Sequence, residues 1–171
     1  AVRAPEDLSG MKIRCLENNT YLNTYTALGA NPTPMAWSET IPGLQQGTVE
    51  GLDASISVLY TGGFADICDY LSLTNQFFAA TVICISETNW DALTGEQQAW
   101  LLESAQEASA LQADYQVQAD EDNLVKMEEA GMTIVRDVDT QAFRSALSSF
   151  YDDMKETIGA EYVDALFAAI A

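Results

Sequence analysis

Two residues early in the chain have side chains that could bind a small organic anion. Arg14 lies in a short apolar run, Met11–Cys15, and Trp37 follows a second extended run that begins at Asn31. A guanidinium group binds a carboxylate through two parallel hydrogen bonds. The alternatives are an ion pair between Arg14 and a nearby acid, Glu17 or Asp53, and a place for Trp37 in the hydrophobic core.

These two residues require a strand-helix-strand unit to position them. The pattern predicts a strand at Met11–Cys15 and a helix that begins near Asn18, Asn19 or Thr20 and ends at Gly29. The second strand contains Pro32 and Pro34, which predicts a short strand that pairs on one side only. In such units ligands bind at the carboxyl ends of the strands, where Arg14 and Trp37 both lie.

Composition and charge exclude several classes of function. The 171 residues are 48% apolar and 19% charged, which is typical of a globular chain, and the net charge is −19. Such a charge repels nucleic acid and anionic membrane surfaces, so neither is an expected partner. The chain has no histidine, and it has three cysteines without CxxC spacing. We therefore predict no metal site, no cofactor and no enzymatic activity.

The remaining elements follow from apolar periodicity and capping signals. Apolar runs predict strands at Leu71–Thr74, at Phe77–Ile85 and at Met132–Val135, the second being buried on both faces. Cys15 and Cys84 would then be buried strand residues. Predicted helices comprise one with Ser38 as its N-cap that ends at Gly47, then Ser55–Tyr60, Glu87–Leu93, Gly95–Ala130, Thr140–Ile158 and Ala160 to the end.

The helix from Gly95 is the longest predicted element. Thr94 and Gln97 form a capping box at its start. At about 1.5 Å per residue it would span about 50 Å, more than the width of a compact domain of this size. It must therefore bridge two lobes, form a coiled coil or bend. One apolar face is marked by Leu101, Ala105, Ala108, Leu111 and Tyr115.

Several segments together resemble the extracytoplasmic solute-binding proteins of tripartite ATP-independent periplasmic (TRAP) transporters, the DctP-like family. The segments are Asp7–Arg14, Leu28–Met35, Leu44–Gly51, Tyr70–Thr74 and the long helix that closes on Glu129-Ala130-Gly131. The resemblance covers nearly the whole chain in order. It implies a two-lobed α/β receptor that closes around a small organic acid and delivers it to a TRAP membrane permease.

The resemblance also implies four ligand-binding residues. The family's carboxylate-binding arginine falls on Arg14, and its ligand-packing aromatic ring falls on Trp37. The often ligand-facing position three residues after the arginine is Glu17. The family's Gly-x-x-Asn segment falls on Gly51–Ala54, where Asp53 adds a negative charge and Ala54 replaces the asparagine. By residue type alone, Glu17 and Asp53 are typical of solvated or paired acids.

Family members are about twice as long as this chain, which resembles their C-terminal half. The predicted fold is a periplasmic-binding-protein-like lobe, residues 1–79 with 120–171. Residues 80–119 would form a strand and the first part of the long helix, crossing towards the absent lobe. The resemblance implies an exported, periplasmic protein whose signal peptide is not in this chain, and the exposed long-helix face suggests a homodimer. The alternative is an interaction module of the same fold that has lost ligand binding.

Overall fold

The chain folds into parallel strands connected by helices, in a computed structural model that describes residues 1–78 and 80–170. The strands in these residues are Lys12–Cys15 (β1), Asn31–Pro34 (β2), Gly51–Leu52 (β3), Tyr70–Ser72 (β4) and Thr133–Val135 (β5). The α-helices are Asn19–Ala27 (α1), Trp37–Gln45 (α2), Ile56–Thr61 (α3), Glu87–Asp91 (α4), Gly95–Glu129 (α5), Thr140–Ala146 (α6), Ser148–Ile158 (α7) and Ala160–Ile170 (α8). This alternation confirms the predicted α/β class.

The strands form two parallel sheets. The first has the order β2-β1-β3, and the second consists of β4 and β5. Arg14 on β1 lies opposite Thr33 on one side and Leu52 on the other. Among the described residues β2 pairs only with β1, as its two prolines predict, because proline has no N–H to donate to a second neighbour.

Local signals set the ends of the helices that flank the first sheet. The Asn18 side chain accepts a hydrogen bond from the Thr20 N–H at 2.8 Å and caps α1. Gly29 follows this helix with φ of +80°, a conformation that glycine adopts without steric cost. Helix α2 begins two residues earlier than predicted, because Ala36 and not Ser38 is the residue at its N-cap.

The main core lies between the first sheet and the helices α1, α6 and α7. Its side chains are almost fully buried and include Leu8, Ile13, Cys15, Tyr25, Leu28, Phe143 and Leu147. A smaller cluster of Met127, Met132 and Ile134 joins the end of α5 to β5. The C-terminal turns of the long helix therefore pack against β5.

The long helix α5 is 35 residues long and begins with the predicted Thr94–Gln97 capping box. Its C-terminal turns bury Asn123 and Met127, whereas the predicted apolar face at its start is exposed. Leu111 and Tyr115 are 71% and 69% exposed. In this chain the first two thirds of the helix therefore have an apolar surface without a protein partner among the described residues.

The predicted strand at Phe77–Ile85 is wrong for residues 77–78 and 80–85, which have no regular secondary structure; Ala79 lies outside the described residues. Phe78 is 95% exposed, Val82 is 75% exposed, and Cys84, predicted to be buried, is exposed too. An apolar run forms a buried strand only where a sheet edge is available to pair with it. The described residues of this lobe do not pair with the run.

The C-terminal helices differ from the prediction at one boundary. The helix predicted at Thr140–Ile158 is divided at Leu147 into α6 and α7. The helix predicted from Ala160 to the end is α8, which is described as far as Ile170; Ala171 lies outside the described residues. Of the helices that the structure describes, none combines the length and the apolarity that crossing a membrane requires.

Candidate functional site

A cleft lies at the carboxyl ends of the parallel strands. Arg14 is on β1, Trp37 follows β2 and Asp53 follows β3, so the shared strand direction brings these three predicted residues to one edge of the sheet. The cleft has a volume of about 570 Å³. Its wall also includes Ala54, Asp120 and the segment Leu71–Phe77 that follows β4.

Arg14 is buried, with 3% of its surface exposed, yet lines this cleft. Its Nε donates a hydrogen bond to the Met35 carbonyl at 3.1 Å. Its guanidinium carbon lies 5.3 Å from the centre of the Trp37 ring, a cation–π distance. No carboxylate oxygen of the described residues lies within 4.0 Å of the guanidinium group. The terminal amino groups therefore remain available to a ligand, and the alternative of an ion pair with Glu17 or Asp53 is not observed.

Trp37 is the first residue of α2 and has 42% of its surface exposed. One side of its ring packs on Phe64, with ring centres 5.3 Å apart and planes at 54°. Because Phe64 is 2% exposed, it provides a fixed support for the indole ring. The partly exposed ring lines the cleft and provides an apolar wall beside Arg14.

Asp53 is held by a hydrogen-bond chain from two other elements. The Tyr25 hydroxyl donates to Asp53 Oδ2 at 2.6 Å, and Gln76 Nε2 donates to the Tyr25 hydroxyl at 2.6 Å. Burial raises the pKa of Asp53, while hydrogen bonding by Tyr25 and the positive charge of Arg14 act to lower it. Burial and the neighbouring carboxylate both raise the pKa of Tyr25, which keeps its hydroxyl protonated as a donor.

Glu17 and Ala54 take different positions. Glu17 lies exposed beyond the end of β1 and does not line the cleft. Ala54 lines the cleft, so a methyl group occupies the place where the family pattern has an asparagine side chain. Of the four predicted ligand-binding residues, the structure thus brings together Arg14, Trp37 and Asp53.

Sequence reasoning missed a polar cluster that joins α3 to α5 at the edge of the cleft. The Ser57 hydroxyl donates to Asp120 Oδ1 at 2.7 Å, and Gln116 Nε2 donates to the same carboxylate at 2.8 Å. Asn123 Nδ2 donates to the Ser57 hydroxyl at 3.3 Å. Gln116, Asp120 and Asn123 lie on one helix face because they are spaced by four and seven residues. This spacing is the feature of the sequence that could have indicated the polar cluster.

Tyr25 and Gln76 were also missed as site residues. Tyr25 is an aromatic residue of α1 whose hydroxyl group, once buried, usually has a hydrogen-bond partner. Gln76 is one of three polar residues, Thr74, Asn75 and Gln76, between β4 and the apolar run, and its contact with Tyr25 depends on the fold. Within the described residues no three side chains from Cys, Asp and Glu converge as a metal site would require, and the three cysteines are free thiols.

Comparison with protein families gives one match over most of the chain. Residues 1–157 match the family DctP, described as bacterial extracellular solute-binding protein, family 7. Among curated proteins, the chain is similar to the 2,3-diketo-L-gulonate-binding periplasmic protein YiaO of Escherichia coli K12. The two are 32% identical over 153 residues, which is 90% of this chain and 47% of that protein. The chain thus spans about half the length of this curated relative.

Solved structures of TRAP periplasmic solute-binding proteins are similar in fold to most of this chain. The fold is similar to a TRAP periplasmic solute-binding protein of Polaromonas sp. JS666 bound to D-erythronate, with a TM-score of 0.89 and 30% identity. That likeness covers 96% of this chain and 54% of the other. An Ochrobacterium anthropi protein of the same kind, with bound L-fuconate, gives a TM-score of 0.80 and 36% identity over 89% of this chain and 50% of the other. The chain therefore belongs to the DctP family of bacterial extracellular solute-binding proteins.

Proposed function

We propose that this chain is the ligand-binding lobe of a TRAP-type receptor and that Arg14 binds a small organic acid by its carboxylate. The observation that carries the proposal is a buried arginine at an open cleft with no acidic partner in the described residues. Burying a charge without a partner is costly, and an incoming carboxylate would offset that cost. Met35 and Trp37 hold the guanidinium group in place, so little conformational entropy is lost on binding.

The geometry also explains how so acidic a protein could bind an anion. Glu17 is exposed and does not line the cleft, and Asp53 is hydrogen-bonded by Tyr25 and has a pKa that burial raises. Asp120, the other carboxylate of the cleft wall, accepts hydrogen bonds from Ser57 and Gln116. Arg14 is the cation that lines this cleft among the described residues.

The ligand class follows from the cleft and from the relatives. The bound molecules named for the relatives, 2,3-diketo-L-gulonate, D-erythronate and L-fuconate, are carboxylates that also carry hydroxyl groups. In this chain Arg14 would bind the carboxylate, Trp37 would pack against the carbon chain, and Asp53 would lie near the hydroxyl groups. Glu17 would act only through long-range charge.

The mechanism would be closure of two lobes over the ligand, with residues 1–79 and 120–171 forming one lobe. The exposed apolar side chains of Phe78, Val82, Ile83 and Ile85 and of the first part of α5 would then contact the other lobe. The closed receptor would be recognised by a TRAP permease outside the cytoplasm, after export, and it would catalyse no reaction. A role as an interaction module without ligand has one specific support, the methyl group of Ala54 in the cleft.

The test is an NMR titration of the 171-residue chain with D-erythronate, read at the indole N–H of Trp37. We expect a saturable shift with D-erythronate and none with erythritol, a neutral polyol of the same length. Arg14→Ala should weaken binding at least about tenfold, because it removes a charge-assisted hydrogen-bond pair. Arg144→Ala, which removes an exposed arginine elsewhere, is the matched control.

Equal titration by wild type and by Arg14→Ala, with the fold retained by circular dichroism, would contradict the assignment of Arg14. If neither D-erythronate nor L-fuconate shifts the wild-type signal, the interaction-module alternative is favoured.

A further inference from the structure

The cleft beside Arg14 has an apolar wall that the carboxylate contact does not use. Side chains from two segments form this wall: those after β3 are Ala54, Ile56 and Val58, and those of the β4 region are Leu71 and Leu73. We propose, building on the proposed function, that the carboxylate bound at Arg14 belongs to a short α-hydroxy acid whose carbon chain ends in a branched apolar group. The apolar wall binds that group, and a chain rich in hydroxyl groups fits it less well.

Three side chains of the apolar wall are held in place by the core. Ile56, Leu71 and Leu73 pack against the buried cluster that joins the end of α5 to β5. Each of them is partly buried, so part of its surface faces the cleft and the rest is fixed by packing. Because these side chains are already ordered, little conformational entropy is lost when a ligand methyl group packs on them.

The other two side chains of the apolar wall offer a hydroxyl group no partner. Val58 of α3 is 42% exposed and lines the cleft, and Ala54 presents only a methyl group beside Asp53. Neither side chain has a hydrogen-bond donor or acceptor. A ligand hydroxyl placed here would lose water without gaining a partner, whereas a methyl group would be removed from water.

Polar side chains also line the cleft, but they give ligand hydroxyl groups little advantage over water. The Ser72 hydroxyl accepts from a backbone N–H at 3.0 Å, and Gln76 Nε2 donates to the Tyr25 hydroxyl at 2.6 Å. Ser55 and Asn75 are exposed, so water already satisfies them. Exchanging a hydrogen bond to water for one to an exposed group gains little free energy.

A single hydroxyl group next to the ligand carboxylate does have a place. Asp53 lines the cleft beside Arg14, whose positive charge acts on it. Its Oδ2 accepts from Tyr25 at 2.6 Å, which fixes the carboxyl group at the strand end. A carboxyl group accepts more than one hydrogen bond, so Asp53 can also accept from an α-hydroxyl group while Arg14 binds the ligand carboxylate.

The experiment compares acids that share the carboxylate and the α-hydroxyl group. D-α-hydroxyisovalerate ends in an isopropyl group, whereas D-erythronate carries further hydroxyl groups in that place. Each is titrated into the 171-residue chain and followed by NMR at the Trp37 indole N–H. Burial of one methylene-sized group changes affinity by a factor of about four. We therefore expect D-α-hydroxyisovalerate to bind at least about fourfold more tightly than D-erythronate.

Two variants locate the preference at the apolar wall. Ala54→Asn adds an amide group to the wall and should reverse the order, so that D-erythronate binds more tightly. Val58→Thr replaces a methyl group by a hydroxyl group and should reduce the preference at least about twofold. The matched control is Val125→Thr on α5, which is 53% exposed and outside the cleft wall, and which should leave the preference unchanged.

Binding of D-erythronate as tight as that of D-α-hydroxyisovalerate, or tighter, would overturn the ligand class and leave the carboxylate site at Arg14 standing. The same preference in Val58→Thr as in Val125→Thr would contradict the assignment of the wall. If neither acid shifts the Trp37 signal, both the ligand class and the proposed function are wrong.

Discussion

Removal of the Tyr25 hydroxyl should destabilise the fold by an amount that grows with pH. In Tyr25→Phe, Asp53 loses the hydrogen bond that its Oδ2 accepts at 2.6 Å, and Gln76 Nε2 loses its acceptor. The loss at Gln76 is independent of pH, whereas the loss at Asp53 depends on its charge. Tyr25 is 3% exposed, so water does not readily replace the missing group.

The sign follows from the pKa of Asp53, which burial raises above its ordinary value of 3.8 in the folded state. The folded protein holds this proton more tightly than the unfolded chain, so the associated stability is present below 3.8 and is lost as the pH rises through the raised folded pKa. Tyr25 stabilises the carboxylate form. Its removal raises the folded pKa further and makes that loss larger.

The magnitude comes from the two protonation states. A hydrogen bond to a charged group contributes about 1.5–3 kcal/mol, and a neutral one about 0.5–1.5 kcal/mol. Tyr25→Phe should therefore lower the free energy of unfolding by about 1 kcal/mol more at pH 7 than at pH 3. With a urea m-value of about 2 kcal/mol/M, that difference is about 0.5 M in the unfolding midpoint.

The assay is urea unfolding at pH 3 and pH 7. Tyr21→Phe is the matched control, because Tyr21 is on the same helix and stacks on Phe77 but makes no side-chain hydrogen bond within the described residues. Its midpoint should change little at either pH. An equal loss of stability at both pH values for Tyr25→Phe would refute the assignment of Asp53 as a buried, titrating acceptor.

Two further predictions concern the long helix. Ser57→Ala removes the hydroxyl that donates to Asp120 and accepts from Gln116 and Asn123. It should lower the free energy of unfolding, measured in urea, by about 1–2 kcal/mol. The control Ser109→Ala should leave it nearly unchanged, because the exposed Ser109 hydroxyl bonds only its own helix. The chain alone, of 18.6 kDa, should self-associate in light scattering through the apolar start of α5, and Leu111→Glu should lower the mass towards the monomer. Gln112→Glu adds the same charge beside it as a control; a monomeric wild type would contradict this prediction.

The sequence predicted the strand ends well because their signals are local. An apolar run with one arginine, two prolines in the next strand and an α/β alternation suffice to place Arg14 and Trp37 at one sheet edge. The resemblance then supplied their roles. Asp53 was predicted to lie at the site, but its hydrogen-bond chain was not.

The parts that were missed depend on contacts between distant residues. Tyr25 and Gln76 are 51 positions apart, and nothing local to either residue indicates that they meet. In the run Phe77–Ile85, by contrast, a local pattern predicted a strand that the described residues do not form. Its continuous apolarity predicts a surface that needs a partner, but it does not indicate which polypeptide would provide one, and the described residues do not pair with it.

The contacts of α5 with α3 and β5 lie in its C-terminal half, so a rotation about them displaces the opposite end of the helix most. The cluster at Ser57 and Asp120 clamps the helix near Gln116, and Gly95 lies 21 residues away, about 32 Å along the axis. A rotation of α5 by about 10° about these contacts would move its Gly95 end by about 5–6 Å, roughly the rise of one helical turn. Asp120, one of these contacts, forms part of the cleft wall. A small rotation beside the cleft would therefore move the far end of α5 far enough to shift its side chains from one packing position to the next.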